Sequence, residues 1–354
     1  MKTLLLILFF VGSITAPAAD WRVALPGWDY EFPRDHAVHP EFKTEWWYFT
    51  GNLRTEDGRR FGYQLTFFRQ GMRKELSQTS RFIMRDLHFA HFAMTDASGK
   101  KFRFAERTSR GAFGEAGFGT NERLAWIDSW GLRHNSDGTF HLVAENEGKR
   151  IDLRLESTKP PVIHGRDGVS QKAAGEGHAS HYYSLTRLKT SGTVRFENKE
   201  FAVQGESWFD REWATNQLAA DQRGWDWFSV QFENGTELML YQMRLENGGI
   251  DDTSSGTFID AQGRSRHLEK SDYTLTPIRL VGPYPVEWTI SVPALGIEAR
   301  VTTPVEQQEL EFGPLAYWEG MIEVKGTIEK KQMGGRGYME LTGYRKPLDA
   351  LKSR

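Results

Sequence analysis

One acid, one imidazole and two large aromatic rings are the side chains of this sequence whose types and spacing could do chemistry. His181 stands two positions before Tyr183, and Trp208 stands two positions before Asp210. Because residues i and i+2 share one face of a β-strand, each pair can project into one cavity. We therefore predict that an acid and a base converge in a chamber walled by aromatic rings.

An acid, a base and aromatic walls in an apolar cavity could bind an apolar ligand or protonate it, for example at a carbon–carbon double bond. Burial among aromatic side chains raises the pKa of a carboxyl group, so Asp210 would stay protonated near neutral pH and could protonate the double bond. The ring faces of Tyr183 and Trp208 would stabilise the resulting carbocation by about 2 kcal/mol. His181 would then orient or deprotonate the attacking water.

An ion-pair cluster is the alternative role for the same acid. Arg211 and Glu212 follow Asp210 directly, and pairing with an arginine would lower the pKa of the aspartate instead. Glu45, which precedes two tryptophans, is expected to accept hydrogen bonds from backbone or Trp N–H groups at the end of a barrel. We assign Glu45, Arg211 and Glu212 to structural support of the site.

Aromatic residues beside these positions are predicted to form the wall of the ligand site. They flank the acids and the imidazole in the sequence, and they comprise Trp46, Trp47, Tyr48, Tyr182 and Phe209. An irregular stretch with several glycines, residues 159–179, precedes the key imidazole. Irregular backbone beside a rigid strand often carries ligand contacts, and we expect such contacts here.

Alternation of apolar and polar residues over short runs, separated by turn residues, predicts antiparallel strands along almost all of the remaining chain. Helical patterns with the spacing of parallel α/β folds are absent from the sequence. We predict an all-β protein with two tandem lipocalin-like antiparallel β-barrels, of residues 20–213 and 224–347. A short helical linker of residues 214–223 joins them, and residues 348–354 form a tail. A pair of β-sandwiches remains the alternative.

The first 19 residues have the pattern of a cleaved signal peptide. Lys2 precedes an apolar run that is too short to span a bilayer, and small residues follow at the cleavage positions. We therefore expect a periplasmic or secreted protein without a stable membrane span. The 354-residue chain contains no cysteine, so disulfide bonds cannot contribute to its stability.

Composition and missing motifs argue against several functional classes. The formal net charge of −2 gives no case for a nucleic-acid partner. Three His-x-x-His pairs fall on predicted strands, where residues i and i+3 point to opposite faces, so we predict no metal site. The motifs of serine hydrolases, P-loop NTPases and dinucleotide-binding folds are absent from the sequence.

Five stretches of the sequence resemble one family. They are residues 39–53 (HPEFKTEWWYFTGNL), 180–188 (SHYYSLTRL), 205–213 (GESWFDREW), 317–320 (YWEG) and 337–344 (GYMELTGY). In this order they are similar to the signatures of the AttH-type, carotenoid 1,2-hydratase-related family of lipocalin-like proteins. Together they extend over both predicted barrels.

The resemblance implies two lipocalin-like barrels and a catalytic set that corresponds to His181, Tyr183, Trp208 and Asp210. Hydratase members add water to the terminal double bond of acyclic carotenoids without a cofactor. Their pattern has Trp after the His and Tyr before the Asp, whereas this chain has the two aromatic types exchanged. Three functions stay open: a carotenoid 1,2-hydratase-like hydro-lyase, a carrier of an isoprenoid or acyl lipid that serves an ABC-type export complex, and a polyene cyclase or isomerase.

Overall fold

The computed structural model of the chain describes residues 21–74, 83–216, 218–313, 315–346 and 348. The predicted signal peptide, residues 1–19, and residues 349–354 of the predicted tail lie outside the described residues. Within the described part, no helix is long and apolar enough to cross a membrane.

The described residues form 23 β-strands and four short 3₁₀ helices. The strands of the first half are β1 (Thr44–Arg54), β2 (Arg60–Gly71), β3 (Asp86–Asp96), β4 (Lys101–Ser109), β5 (Ala116–Phe118), β6 (Arg123–Ile127), β7 (Trp130–His134), β8 (Phe140–Asn146), β9 (Lys149–Ser157), β10 (Val162–Ile163), β11 (Ser170–Gln171), β12 (Ala179–Phe196) and β13 (Lys199–Ala214). Those of the second half are β14 (Gln222–Phe232), β15 (Glu237–Leu245), β16 (Ser255–Ile259), β17 (Ser265–Glu269), β18 (Thr274–Val281), β19 (Tyr284–Val292), β20 (Ile297–Thr302), β21 (Glu309–Phe312), β22 (Leu315–Ile328) and β23 (Lys331–Thr342). The 3₁₀ helices are Arg34–His36, Ala112–Gly114, Lys270–Asp272 and Pro293–Leu295.

These strands make two large antiparallel sheets. The first has the order β4-β3-β2-β1-β13-β12-β9-β8-β7-β6-β5, with β10 and β11 paired to β12. Its two ends approach each other, because β6 contacts both β3 and β4, so this sheet is nearly closed into a barrel. The second has the order β17-β16-β15-β14-β23-β22-β20-β19-β18, with β21 paired to β22. Most neighbours in each sheet are also neighbours in the chain, as short turns between strands produce.

The longest hairpin, β12–β13, is the wall around which the site is built. Its two-residue turn places Glu197 and Asn198 at positive φ values of 50° and 63°, the left-handed conformation that a type I′ turn requires. A bulge between Leu185 and Leu188 interrupts the register in the middle of the hairpin. Beyond the bulge, towards the start of β12, the pairing is regular, so the face of each side chain follows from its position.

Alternate residues of β1, β12 and β13 belong to two different apolar cores. One set turns into the first sheet, where the buried side chains include Trp47, Phe49, Tyr183, Phe209 and Trp213. The intervening set faces the second sheet and joins a separate buried cluster that includes Tyr48, Tyr182, Trp208, Trp227 and Tyr241. The sheets therefore meet through aromatic side chains on the outer face of the first sheet, each of which buries a large area.

Polar contacts also join the two sheets. Glu237 of the second sheet is fully buried, and it accepts hydrogen bonds from Arg187 Nε at 2.7 Å and Lys159 Nζ at 2.6 Å. An unpaired buried carboxylate would be costly, so these contacts stabilise the association. Trp227 Nε1 crosses the same interface and donates to the Tyr182 hydroxyl at 3.2 Å.

The predicted all-β class is confirmed, but the finer expectations differ from the structure. The described residues of 214–223 end β13, form a turn and begin β14, so the predicted helical linker is wrong. Within the described residues, β17 and β18 end the second sheet without pairing to each other, so a second closed barrel is not established. The division into two domains stays a prediction.

Candidate active site

A cavity of about 540 Å³ lies between the two sheets. This volume is within the range of about 300–1,000 Å³ that is usual for small-molecule sites. Strands β1, β2, β3, β12 and β13 form one wall, and β14, β15, β22 and β23 form the other. Its aromatic lining includes Trp46, Tyr48, Tyr182, Trp225, Trp227 and Tyr241, and its charged or titratable lining includes Lys172, Asp210, Glu212 and Glu340.

The register of β12 against β13 decides which side chains reach this cavity. Tyr182 lies opposite Glu212, and Ser184 lies opposite Asp210. Residues that face each other in an antiparallel pair project to the same side of the sheet. These four side chains, with Trp208 two positions before Asp210, therefore share the face that is turned towards the second sheet.

Asp210 is a buried acid with three hydrogen-bond donors around it. Its Oδ1 accepts from Trp208 Nε1 at 2.6 Å and from the Ser184 hydroxyl, and its Oδ2 accepts from the Tyr182 hydroxyl at 2.8 Å. Burial raises the pKa of Asp210 from 3.8 to about 7, because its effect outweighs the three hydrogen bonds, which lower the pKa. This carboxyl group lines the cavity, so it can hold or release a proton near neutral pH beside a ligand.

A row of polar groups lies behind Asp210. The Ser184 hydroxyl that donates to Asp210 also bonds His164 Nε2 at 2.6 Å, and His164 Nδ1 bonds the Thr257 hydroxyl of the second sheet at 2.8 Å. Burial lowers the pKa of His164 well below its ordinary value, so the ring is neutral, with one nitrogen donating and one accepting. This row fixes the Ser184 hydroxyl and thereby orients the carboxyl group of Asp210.

The cavity wall also carries a buried ion pair. Lys172 Nζ lies 3.1 Å from Glu212 Oε1, and it lies over the rings of Tyr182 and Tyr241 at 4.9 and 4.4 Å from their centroids. Burial lowers the pKa of Lys172, but the neighbouring charge of Glu212 and smaller contributions outweigh it and raise the pKa. The lysine therefore stays charged at the cavity.

Two further carboxyl groups meet in the wall formed by the second sheet. Glu319 of β22 and Glu340 of β23 are cross-strand neighbours, and their carboxyl groups interact directly. Trp225 Nε1 donates to Glu340 Oε1 at 2.7 Å, and the Tyr48 hydroxyl donates to Glu319. Burial raises the pKa of both acids, that of Glu340 to about 7, and the charge of Glu340 raises that of Glu319 further.

His181 and Tyr183 do not reach this cavity. Both project into the first sheet, where the His181 ring lies 4.8 Å from the Trp28 ring and its Nδ1 donates to the backbone carbonyl of Gly168 at 3.1 Å. Burial lowers the pKa of His181 to about 4. The Tyr183 hydroxyl forms a hydrogen bond of 2.6 Å with His36 Nδ1. These two side chains are packed against the N-terminal segment rather than against a ligand space.

The prediction that His181 and Asp210 converge in one chamber is therefore wrong. Ser184, which lies opposite Asp210, is three positions from His181, and an odd separation along a strand reverses the face. Each aromatic residue stays with its partner, so Trp208 accompanies Asp210, and Tyr183 accompanies His181. The catalytic roles of these residues stay predictions.

The aromatic residues predicted to bind a ligand divide in the same way. Trp46, Tyr48 and Tyr182 line the cavity, whereas Trp47 and Phe209 are buried in the core of the first sheet. Adjacent residues of a strand point to opposite faces, so a continuous aromatic run cannot line one cavity along its whole length. Trp47 and Phe209 therefore pack in the core and do not face the cavity.

Glu45 and Arg211 belong to an ion-pair network on the inner face of the first sheet. Glu45 Oε1 accepts from Arg69 Nε at 2.7 Å, and its Oε2 accepts from the Arg211 guanidinium. Burial alone would raise the pKa of Glu45, but the two arginines outweigh it and hold the pKa well below its ordinary value. Asp210 and Glu212, on either side of Arg211, face the cavity instead, so the alternative in which these three residues form one ion-pair cluster is wrong.

The polar groups of the site that the sequence did not predict include His164, Lys172 and Glu340. The first two lie in the irregular stretch 159–179, where ligand contacts were expected without particular residues being singled out. Glu340 lies in a stretch that carries the family resemblance, and it follows a tyrosine by two positions, the same spacing as in the pair Trp208 and Asp210. That repeated spacing of an aromatic residue and an acid was the available signal.

The fold and the site define an all-β protein that holds a largely apolar cavity, lined by several aromatic rings, between two antiparallel sheets, with acids of raised pKa in both walls. Among the described residues, no group of three or more His, Cys, Asp or Glu side chains is arranged to hold a metal ion. The chain belongs to the AttH-like family, whose model matches residues 23–344. The family resemblance predicted from the five sequence stretches is therefore confirmed.

Three known proteins are similar to this chain. An AttH protein of Nitrosomonas europaea has a solved structure with 31% identity and a TM-score of 0.82, over 91% of this chain and 99% of that one. Kievitone hydratase of Nectria haematococca shares the fold at 16% identity with a TM-score of 0.69, over 90% of this chain and 93% of that one. The dehydratase asqC of Emericella nidulans is 22% identical over 279 residues, which are 70% of this chain and 75% of that protein.

Proposed function

We propose that this protein is a hydro-lyase that adds water to a carbon–carbon double bond, or removes it, in the cavity between the sheets. The observation that carries the proposal is Asp210, which lines a largely apolar cavity with several aromatic rings and whose pKa burial raises to about 7. Water addition to an unactivated alkene begins with a proton donor. A carboxyl group that is still partly protonated at neutral pH and faces aromatic rings meets that need.

In the hydration direction, Asp210 transfers its proton to one alkene carbon, whose π electrons form the new C–H bond and leave a carbocation on the neighbouring carbon. The ring faces of Trp46, Tyr182 and Trp227, which line the cavity, stabilise that cation. Water then forms a C–O bond to the cation and loses a proton to a base. Dehydration follows the same steps in reverse, with the Asp210 carboxylate taking the proton from carbon.

The groups around Asp210 suit both of its protonation states. After proton transfer the carboxylate still accepts hydrogen bonds from Trp208, Ser184 and Tyr182, so its charge is not left unpaired in an apolar space. The same bonds hold the pKa near neutrality rather than far above it, which lets the group regain its proton in each cycle.

The ligand that we propose is an elongated apolar molecule of the isoprenoid type, with its reacting double bond beside Asp210. The aromatic lining and the volume of about 540 Å³ support an apolar ligand of that kind or the end of a longer one. Relatives named as a dehydratase and a hydratase support the reaction class. Hydration of a carotenoid by an exported protein is the specific form that the sequence resemblance and the predicted signal peptide suggest.

Turnover of lycopene, an acyclic carotenoid, by the purified protein in detergent micelles tests the proposal. We expect a product heavier by one molecule of water, which carries ¹⁸O when the reaction is run in H₂¹⁸O. Asp210→Asn should abolish the product, and His181→Ala should retain it in the folded fraction, because His181 lies outside the cavity. Product formation by Asp210→Asn would contradict the role given to Asp210.

A non-catalytic lipid carrier is the second candidate. The observation that favours it is the position of His181, since the imidazole predicted to activate water points away from the cavity. A carrier would bind and release its ligand unchanged. Mass spectrometry of apolar extracts of the protein purified from its own cells, before and after prolonged incubation, separates the two, because only a hydro-lyase changes the mass of the ligand by one water.

A further inference from the structure

The cavity has a second acidic site in the wall that faces Asp210. Glu319 and Glu340 are cross-strand neighbours in β22 and β23, so their side chains leave the second sheet on the same face. Glu340 lines the cavity, and Glu319, which is 1% exposed, lies behind it. The proposed hydration also needs a base that accepts the proton lost by the attacking water.

The buried carboxyl groups of Glu319 and Glu340 occupy opposite positions of two paired strands, so the charge of one acts on the other. Two neighbouring negative charges in an apolar environment repel strongly, so one group of the pair keeps a proton, which the pair shares. Burial holds the pKa of Glu319 well above its ordinary value, and that of Glu340 is about 7. At neutral pH, Glu319 therefore keeps its proton, and Glu340, whose pKa is about 7, is ionised in about half of the molecules.

Tyr48 connects this pair to the wall that carries Asp210. Tyr48 lies directly opposite Asp210 in the pairing of β1 with β13, and its hydroxyl crosses the interface to donate to Glu319. The side chain of Tyr48 therefore reaches from the strand beside Asp210 to the acidic pair of the second sheet. A ligand between the sheets would have Asp210 on one side and Glu340 on the other.

The other titratable groups that face the pair are engaged with partners of their own. Glu212 of β13 is held by Lys172, and Lys346, which also lines the cavity, pairs with Glu311. The hydroxyl of Tyr317, beside the pair on β22, bonds a histidine of β3. Within the described residues, neither cavity lysine therefore neutralises Glu340.

We propose that Glu340 is the base of the hydro-lyase reaction and that Glu319 and Tyr48 are its positioning residues. The inference rests on the function proposed above. In hydration, Asp210 gives its proton to the alkene carbon, water forms the C–O bond, and the proton lost by the water oxygen passes to the Glu340 carboxylate. Glu340 then releases a proton to solvent and Asp210 takes one up, so the net reaction consumes one water and no other reactant.

Dehydration uses the same two groups with their roles exchanged. The protonated Glu340 gives its proton to the hydroxyl oxygen, and the C–O bond breaks with release of water. The Asp210 carboxylate then removes a proton from the neighbouring carbon, whose C–H electrons form the double bond. Each group ends in the state opposite to the one in which it began, and exchange with solvent restores both.

The proton-sharing pair can be tested without a substrate. Infrared difference spectra of the purified protein from about pH 5 to about pH 9 report protonated carboxyl groups through their C=O stretching band. We expect a band in the wild type that persists to the alkaline end and is lost in Glu319→Gln. The control is Glu323→Gln on the same strand, which removes a carboxylate paired with Arg60 and should leave that band unchanged. Absence of a persistent band in the wild type would overturn the proposal.

The dependence of turnover on pH separates a base from a merely structural acid. Wild-type kcat for lycopene should peak near neutral pH, since Asp210 must be protonated and Glu340 must not be. Glu340→Gln should lower kcat by about 10²- to 10⁴-fold with little change in KM and should remove the fall in rate on the acid side. Glu340→Asp should restore part of the rate.

Three results bear on the inference in different ways. If Glu340→Gln keeps the wild-type kcat and its fall in rate at acid pH while Asp210→Asn is inactive, Glu340 is not the base although the protein is a hydro-lyase. If the wild type converts neither lycopene nor its hydrated product while the infrared band is present, the proposed function fails and the role of Glu340 as a base fails with it. Selective loss of kcat in Glu340→Gln, with the band present, supports both.

Discussion

Replacement of Asp210 by Asn removes the acid and keeps the shape of the side chain. The amide oxygen can accept the hydrogen bonds of Trp208 and Ser184, and the amide nitrogen can donate to the oxygen of the Tyr182 hydroxyl. The Tyr182 O–H group loses its acceptor, but the other hydrogen bonds around the side chain are kept. We therefore expect Asp210→Asn to fold, to bind an apolar ligand and to be inactive with lycopene.

The same substitution should change how stability depends on pH. The pKa of Asp210 is about 7 in the folded protein, against 3.8 for an ordinary aspartate. Because the folded state binds this proton more tightly, the stability it contributes is fully present below about pH 4 and is lost as the pH rises to about 7. About three pKa units, at about 1.4 kcal/mol each, make that loss about 4 kcal/mol. The variant does not titrate at this position, so its stability relative to the wild type should rise by about this amount.

Urea unfolding at about pH 4 and about pH 8, followed by tryptophan fluorescence, measures the difference. Asp252→Asn is the matched control, because that side chain is 98% exposed and its replacement should produce no pH-dependent gain. If Asp210→Asn and the wild type lose stability equally between the two pH values, Asp210 ionises like an ordinary aspartate. Its role as a proton donor at neutral pH would then be refuted.

Three further substitutions have distinct expected outcomes. His181→Ala should lower the free energy of unfolding by about 1–3 kcal/mol in a urea titration, since His181 packs in the first sheet. The turnover rate per folded molecule should stay within a few-fold of the wild-type rate, and a complete loss of turnover in folded protein would contradict this. Glu45→Gln should lower the free energy of unfolding by about 3–5 kcal/mol in the same titration, because Arg211 is left as an uncompensated buried charge. A decrease below about 1 kcal/mol would show that the pair is not stabilising. Ser184→Ala removes a hydrogen bond that lowers the pKa of Asp210, so the fall in kcat at alkaline pH should move to higher pH. If the dependence of kcat on pH does not change, the ionisation of Asp210 does not cause that fall.

The periodicity of a strand is a local property, and the predictions that depend on it alone agree with the structure. Trp208 shares a face with Asp210 and donates to it, and Tyr183 shares a face with His181, because two positions along one extended backbone always restore the direction of the side chain. The all-β class follows from the same alternation, with turn residues between the runs. The family follows from five short stretches that lie in order along the chain.

Tertiary structure decided which face each pair occupies and what lies across from it. His181 and Asp210 lie on different strands, so their meeting depends on the register of β12 against β13, and a slip of one residue would exchange the two faces. Glu340 reaches the same cavity as Asp210 because a second sheet packs against the outer face of the first. The sequence by itself determined the strands, the pairs along each strand and the family, since these depend on neighbours in the chain. Pairing between strands and packing between sheets decided that an acid of one sheet faces an acid of the other, because both depend on contacts between residues far apart in the sequence.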